Sequence, residues 1–503
     1  MKKNIVTIDP ITRSEGGLKV NLELLDGSIS RAYVSATMFR GIEFALRGRD
    51  ATDSLVITPR ICGICGTSHL TSSVRALESL YQADVPSNGA LIRDICLGVE
   101  SVMSNFTNLY IMFAPDLLDK RYFNLPGYDE LVKRFTPFRG GSYAAALRSR
   151  KRLLEIIALF GGQWPHSHFM VPGGVTCRPT LSNITKALAI LAEFQKYLEK
   201  QVFGCNLDRF LEINSFDEFK DWLEEPRHGM SDLGSLANFS FGIGLDEIGS
   251  GVGYFLSYGE YPSLDAEDFK AGFFDGKKYH RFKQEKISEH STHSFYSDGR
   301  PKHPFDDSRH PISKMNGERY SWSLAPRYDG RVVEVGPLAR QLVSRTPLFM
   351  DVYKKRGPSV FLRILARFYE CSKLTLAIGN WLNEIEPGEP FYKKPTPIEN
   401  GKSYGLTEAP RGSLGHWCTV EDSKIKKYQV ITPTTWNASP RDSHGVPGAI
   451  EQALEGVAIK DEKRPIEAIH VVRSFDPCMA CSVHVIKPRS TYWAITTVTS
   501  SHT

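Results

Sequence analysis

Residues 59–70 read PRICGICGTSHL, and residues 476–484 read DPCMACSVH. Each stretch holds a Cys-x-x-Cys pair, Cys62 with Cys65 and Cys478 with Cys481. Two thiolates at this spacing converge on one metal, so each pair is a bidentate clamp. One pair alone serves a redox dithiol, a zinc site or an iron–sulfur site equally well. Two pairs complete a tetrathiolate shell, and spacing by itself puts structural zinc first. Against zinc, ribbon-type modules keep their pairs close in sequence, whereas nearly the whole chain separates these two. Only folding joins them. If they share one metal, their sulfurs lie roughly 3–4.5 Å apart.

Outward from the first pair, Leu70, Val74, Leu77 and Leu80 recur at helical spacing. Leu91, Ile95, Val99, Val102, Phe106 and Leu109 do the same along a second, longer helix. Segments 143–160, 182–200 and 358–383 are further helices with an apolar stripe, as a bundle requires. Upstream, LKVNLELLDGSISRAYV (18–34) alternates apolar and polar residues and reads as a β-hairpin turning at Asp26-Gly27. Between residues 225 and 330 the chain is rich in Gly, Pro, His and charge, and it reads as short strands and loops. Residues 385–415 read as loop-rich. No internal repeat, low-complexity tract or linker stands out. The expected fold is α+β and helix-dominated: one intertwined unit with a central long-helix bundle and peripheral antiparallel strands.

The 503 residues are 41% hydrophobic and 24% charged, a globular composition with ample length for a core. A formal charge of +5 gives no reason to expect nucleic acid or an anionic membrane surface. No apolar run is long enough to span a bilayer. The start, MKKNIVTIDP, lacks the apolar stretch of a signal peptide. By its own sequence the chain reads as cytoplasmic, with export or membrane attachment left to a partner. Nine cysteines in this length are no disulfide scaffold. Cys96, Cys177, Cys205, Cys371 and Cys418 read as small buried hydrophobes.

The residues flanking the two pairs resemble the two signature motifs of the nickel–iron hydrogenase large subunit. So do, in family order, ITRSEGG (11–17), FRGIEF (39–44), PHS and VPGGV within 165–175, EHSTHSFY (289–296), VGPLAR (335–340), EAPRGSLGHW (408–417) and PTTWNASPRD (433–442). The resemblance spans essentially the whole chain. The quinone-site subunit of respiratory complex I shares that fold but lacks the four cysteines. The resemblance implies that nickel takes Cys62, Cys65, Cys478 and Cys481, and that Cys65 and Cys481 also bridge to an iron carrying carbon monoxide and cyanide. Soft thiolates suit such a pair. It implies reversible cleavage of H2 to protons and electrons, run as uptake, with Cys478 or a nearby group taking the proton. Electrons leave through an iron–sulfur small subunit in a heterodimer or higher oligomer, because this chain has no spare cysteine group for a cluster of its own.

Further roles carry over one residue at a time. Glu15 relays the proton outward; without the motif it reads as a surface carboxylate capping a turn. Arg411 lies over the iron, where its guanidinium bonds cyanide, with Asp476 as ion-pair partner; alone it reads as an ordinary loop ion pair. Thr434 faces the other cyanide, and Pro410 and Pro433 keep the pocket dry. His69 bonds the bridging sulfur of Cys481; alone it reads as a polar filler. Glu43, a backbone carbonyl near Val430, and His484 hold a magnesium ion. His166 faces the small subunit. A maturation endopeptidase cuts after His484, which leaves 1–484 as the working domain and removes 485–503; the bland reading of that tail is a frayed extension.

Ser104 and Asn108, in VMSNFTNLY (102–110), stand where some members have Asp and His, and Gly17 stands where many have His. These departures argue against the best-known periplasmic uptake enzymes. They leave open an H2-sensing regulatory subunit that turns over slowly. A zinc-stabilised structural subunit is the reading from a different class, and metal analysis separates it from the other two.

Overall fold

The computed structural model describes residues 3–264, 268–306, 308–312 and 318–482. The stripe that begins at Leu91 becomes the helix Ser87–Phe106, in which every residue from Leu91 onward is buried. A helix buried on all sides must be wrapped by others. Pro86 precedes it, where a missing N–H costs nothing. A wider π-type turn, Thr107–Phe113, extends it. Its main neighbour is the 25-residue helix Val360–Glu384, started by the Ser359 side chain accepting from Leu362 N. The two run antiparallel: Gly98 lies against Ile378 and Trp381, Val102 O against Cys371, and Asn105 against Glu370. A Cβ at Gly98 would stand 3.2 Å from Ile378 Cγ1, so glycine lets the helices approach closely. Around this pair pack Leu181–Tyr197 and Glu155–Gly161.

Three-stranded antiparallel meanders flank the bundle. One comprises Lys3–Ile8, Leu18–Leu25 and Ser28–Ala36, with Asp26 and Gly27 both at positive φ in the turn as the hairpin chemistry requires. The other comprises Gly401–Ala409, Gly412–Glu421 and Lys424–Ile431. A third three-stranded sheet is built from Phe255–Tyr258, Ala271–Phe274 and Tyr279–His280.

Four expectations need correction. Residues 401–409 are a strand rather than loop. Its inward positions Ser403, Gly405, Thr407 and Ala409 are small or polar, so no apolar alternation announced it. The reason is proximity: a Cβ at Gly405 would lie 2.0 Å from Ser72 O on the helix Gly66–Tyr81. The 225–330 stretch does hold short strands, but it also holds the helix Asp232–Gly242, N-capped by Ser231. Its glycines concealed the helical pattern. The helix read over 143–160 divides into Gly141–Leu153 and Glu155–Gly161. Of the five scattered cysteines, Cys96, Cys371 and Cys418 are buried, whereas Cys177 and Cys205 are partly exposed.

Candidate metal centre

The first cysteine pair sits where a tight turn becomes a helix. Thr58–Ile61 forms a 3-10 turn, Cys62 is extended, and Cys65 is the N-cap of Gly66–Tyr81. The helix's first N–H groups are satisfied from another helix: Glu100 accepts from Thr67 N at 2.8 Å, Ser68 N at 2.9 Å and Ser68 Oγ at 2.6 Å. In the second pair Cys478 precedes one helical turn, Met479–Ser482, which contains Cys481, and the segment is entered through Asp476 at φ 55°.

The two pairs meet in the interior. Cys62 Sγ lies 3.6 Å from Cys478 Sγ, Cys65 Sγ 3.4 Å from Cys481 Sγ, and Cys478 Sγ 2.9 Å from Cys481 Sγ. Two separations fall in the expected range and the third just below it. None of the four cysteines is more than 4% exposed. Among the described residues, Cys62, Cys65 and Cys481 form the one group of three or more His, Cys, Asp or Glu side chains whose donor atoms all lie within 4.8 Å of one another. Hydrogen bonds from Cys478, Cys481 and Cys65 hold the Cys62 thiol well below the usual range, the Cys478 contact raises Cys65, and burial raises Cys481. Buried sulfurs this close do not all ionise unless a cation neutralises them, and an all-sulfur donor set suits a soft metal.

Several groups clamp the halves together. Arg40 donates to Ile61 O, to Arg60 O at 3.1 Å, and to Ala480 O at 2.9 Å, so one guanidinium ties both cysteine segments. Cys478 N donates to Thr434 Oγ1 at 2.9 Å, which puts the hydroxyl against the motif's backbone. Glu15 O accepts from Met479 N at 2.7 Å and Ala480 N at 3.3 Å. That approach requires glycine next door: Gly16 has φ 81°, and a Cβ there would lie 2.6 Å from Ala480 N. Arg473 holds the same loop through Thr12 O and Arg13 O, and pairs with Asp116. The half-buried Glu15 is thereby fixed beside Cys478.

Arg411 stands at the tip of a two-residue hairpin, Pro410-Arg411, between the paired residues Ala409 and Gly412. It donates from Nε to Asp476 O at 2.8 Å, from Nη2 to Asp476 Oδ1 at 3.1 Å, and from Nη1 to Ser104 Oγ at 3.3 Å. Burial opposes its charge, but Asp476 and the Cys478, Cys65 and Cys62 sulfurs outweigh burial and raise its pKa well above the ordinary value. Arg340 supports the tip by donating to Ala409 O and Pro410 O while paired with Glu370 and Glu408. Pro410 and Pro433 are both buried.

The other expected residues are placed as follows. His69 Nδ1 lies 3.1 Å from His416 Nε2, and that ring contact, rather than one to Cys481, is its described side-chain hydrogen bond. Glu43 Oε1 accepts from Val430 N at 3.1 Å, in a recess also lined by Glu289, Gln429 and Thr435. His484 and the 485–503 tail lie outside the described residues. His166 is half-buried, with Nδ1 3.0 Å from Pro59 O, three residues before Cys62. Sequence reasoning gave no role to Arg40, Arg340, His416 or Tyr428. Arg40, Arg340 and His416 lie inside blocks it quoted, but their partners come from distant segments.

A family model described as "Nickel-dependent hydrogenase" matches residues 40–123 and 118–484. The chain belongs to the nickel-dependent hydrogenase family. It is 32% identical to the periplasmic [NiFeSe] hydrogenase large subunit of Desulfomicrobium baculatum, over 96% of this chain and 95% of that one. It is 29% identical to the hydrogenase-2 large chain of Escherichia coli K12, over 96% and 97%. Among solved structures, the H2-activated Dm. baculatum [NiFeSe]-hydrogenase superposes with a TM-score of 0.82 at 31% identity, covering 96% of this chain and all of that one. The reduced Ni-Fe-Se hydrogenase of D. vulgaris Hildenborough gives 0.81 at 30% identity. The helix-dominated α+β fold expected from the sequence is thus the hydrogenase large-subunit fold. Among the described residues, no helix is long and apolar enough to cross a membrane.

Two predictions concern this hydrogenase scaffold. Arg40→Ala removes the donors that tie Arg60, Ile61 and Ala480 together, and nickel per chain is expected to fall roughly tenfold; wild-type metal content would show that the clamp is dispensable. Burial raises the Glu100 carboxyl to about 7, opposed by the bonds from Ser68 and Thr67. Its unfolded value is the lower one, so its contribution is complete below pH 4.5 and is lost as pH rises through about 7. Over that interval the wild type is expected to lose up to about 3 kcal/mol relative to Glu100→Gln. Paired thermal melts read this, and a difference independent of pH would contradict it.

Proposed function

We propose that this chain is the catalytic large subunit of a nickel–iron hydrogenase that oxidises H2 and passes electrons to an iron–sulfur small subunit. The observation that carries the reading is the convergence of four buried cysteines, 416 residues apart pairwise, beside Glu15 and Arg411. Cys62, Cys65, Cys478 and Cys481 would hold a nickel–iron pair with carbon monoxide and cyanide on the iron, and that pair would supply the H–H cleavage that side chains cannot perform. The protein's share is positioning and proton handling. Cys478 Sγ would accept a proton from H2 and the Glu15 carboxylate would carry protons outward, while both electrons leave through the small subunit. Arg411 supplies N–H donors over the iron side, and Pro410 and Pro433 exclude water.

Magnesium fits the recess formed by Glu43, the Val430 backbone and their carboxylate and amide neighbours, with His484 as a further ligand. Electrons would leave through the iron–sulfur partner, on the side we assign to His166. The relatives' names include a periplasmic enzyme and an uptake hydrogenase, which supports uptake and export together with the small subunit.

Metal analysis and H2-dependent dye reduction on the isolated complex test the proposal. Nickel and iron in equal amounts at the large-subunit site, with rapid dye reduction, are expected. Zinc in their place would overturn it, and full metal loading with slow turnover would make the chain a sensor.

The working domain is 1–484. Removal of 485–503 after metal insertion would leave His484 as the new C-terminus. The large subunit from active complex should have a mass ending at His484, and a fully active subunit still carrying Thr503 would refute the processing step.

A further inference from the structure

A line of buried side chains leaves the cysteine cluster that Arg411 and Glu15 do not touch. His69 Nδ1 lies 3.1 Å from His416 Nε2, and His416 Nδ1 lies 2.9 Å from Tyr428 Oη. Tyr428 Oη donates to Ser73 Oγ at 3.1 Å. Ser73 Oγ then lies 3.0 Å from Ser54 Oγ, which donates to Ala51 O at 2.7 Å. None of the five side chains is more than 1% exposed.

The line is assembled from separate segments by simple periodicities. His69 and Ser73 are four apart on the helix Gly66–Tyr81 and share a face. His416 and Tyr428 lie diagonally on neighbouring strands, where His416 pairs with Val430 and Cys418 with Tyr428. His69 N bonds Cys65 O at 3.2 Å, so the start of the line is one helical turn from a cysteine of the cluster.

The far end decides what the line can do. It stops at the carbonyl of Ala51, itself 2% exposed. A carbonyl accepts a hydrogen bond but cannot pass a proton on, so the line is not an exit path. Its effect is on orientation. A neutral imidazole has one N–H, so what His416 does with Tyr428 fixes which nitrogen it offers to His69. That in turn fixes which His69 nitrogen carries the proton. Both rings are needed in one arrangement, and Tyr428, fixed by Ser73, is the group that imposes it.

We propose that Tyr428 is a positioning residue of the metal centre, acting through His416 to fix the ring orientation and proton position of His69 beside the cysteine cluster. The His69 ring is buried, with His416 Nε2 as its described side-chain partner. Burial raises the Tyr428 phenol, which remains a hydrogen-bond donor. His69 meets the cysteine cluster through its backbone N–H on Cys65 O, and removing groups that support a ligand segment changes metal affinity or activity by roughly 10–100-fold.

The inference rests on the cysteines holding nickel and iron, so the wild-type complex is analysed for both metals first; their absence would count against the function, not against this line. The test compares Tyr428→Phe and Ser73→Ala in the intact complex, reading nickel and iron content, the reduction potential of the nickel EPR signal, and turnover. Tyr428→Phe keeps the ring volume and removes the hydroxyl. It is expected to retain both metals, to shift the potential measurably and to lower turnover at least tenfold. Ser73→Ala, which frees the phenol from behind, is expected to shift the potential the same way by less. If Tyr428→Phe loads no metal, the Ser73→Ala shift decides. Potentials unchanged from wild type in the loaded variants would overturn the proposal and leave the line as core packing.

Discussion

Arg411→Lys is expected to keep nickel and iron at wild-type levels and to lower H2-dependent dye reduction by roughly 10²–10³-fold, the effect of losing one fixed donor at a reacting centre. The Arg411 guanidinium spans three partners at once: the backbone and carboxylate oxygens of Asp476, and the Ser104 hydroxyl. Its fork is planar, and its place is set from behind by Arg340 on Ala409 O and Pro410 O. The Gly412 turn presses on Gly336, where a Cβ would stand 2.5 Å from Gly336 N. An ammonium has one nitrogen and cannot span these partners from a single position. It does keep the positive charge opposite Asp476, which is 2% exposed. Alanine would leave that carboxylate buried without its counter-charge, a loss on the order of 3–5 kcal/mol that would confuse folding with catalysis. Lysine separates the two. Wild-type turnover in Arg411→Lys would show that the arginine serves only the ion pair.

Glu15→Gln is expected to abolish most H2 oxidation, by roughly 10²–10⁴-fold, while both metals still assemble. The distinction is sharp because Glu15 has two jobs on different atoms. Its backbone carbonyl receives Met479 N and Ala480 N, and so holds the second cysteine motif in place. The substitution leaves that carbonyl untouched. Gly16, on which the close approach depends, is also unchanged. Only the side-chain carboxyl is replaced, by an amide of the same shape that cannot take up and release a proton at working pH. Normal metal content with lost turnover would place proton transfer on the Glu15 carboxyl. Unchanged turnover would move the relay to another group.

The local chemistry was open to reading in one dimension. Cys62 with Cys65 and Cys478 with Cys481 are clamps at any level of description, because two thiols three residues apart reach one point. The helices from Leu70 and Leu91, and the hairpin at Asp26-Gly27, were legible because an exposed or core-facing stripe repeats with the period of the element. The strand Gly401–Ala409 was not legible. Its inner face meets a helix backbone so closely that only small residues fit, and small residues carry no periodic signal.

Only the tertiary structure could bring residues 15, 40, 62, 411 and 478 to one place. Arg40 read as part of a family block, yet its importance lies in carbonyls of residues 60, 61 and 480, and a carbonyl has no letter of its own in a sequence. The same holds for Glu15, whose structural bond is made by its backbone, and for His416 and Tyr428, whose alignment with His69 depends on how one sheet lies on one helix. The donors and the elements that carry them are written in the order of the residues. Their convergence was decided by packing, because burying the long helices Ser87–Phe106 and Val360–Glu384 at the centre draws the two cysteine segments together around them.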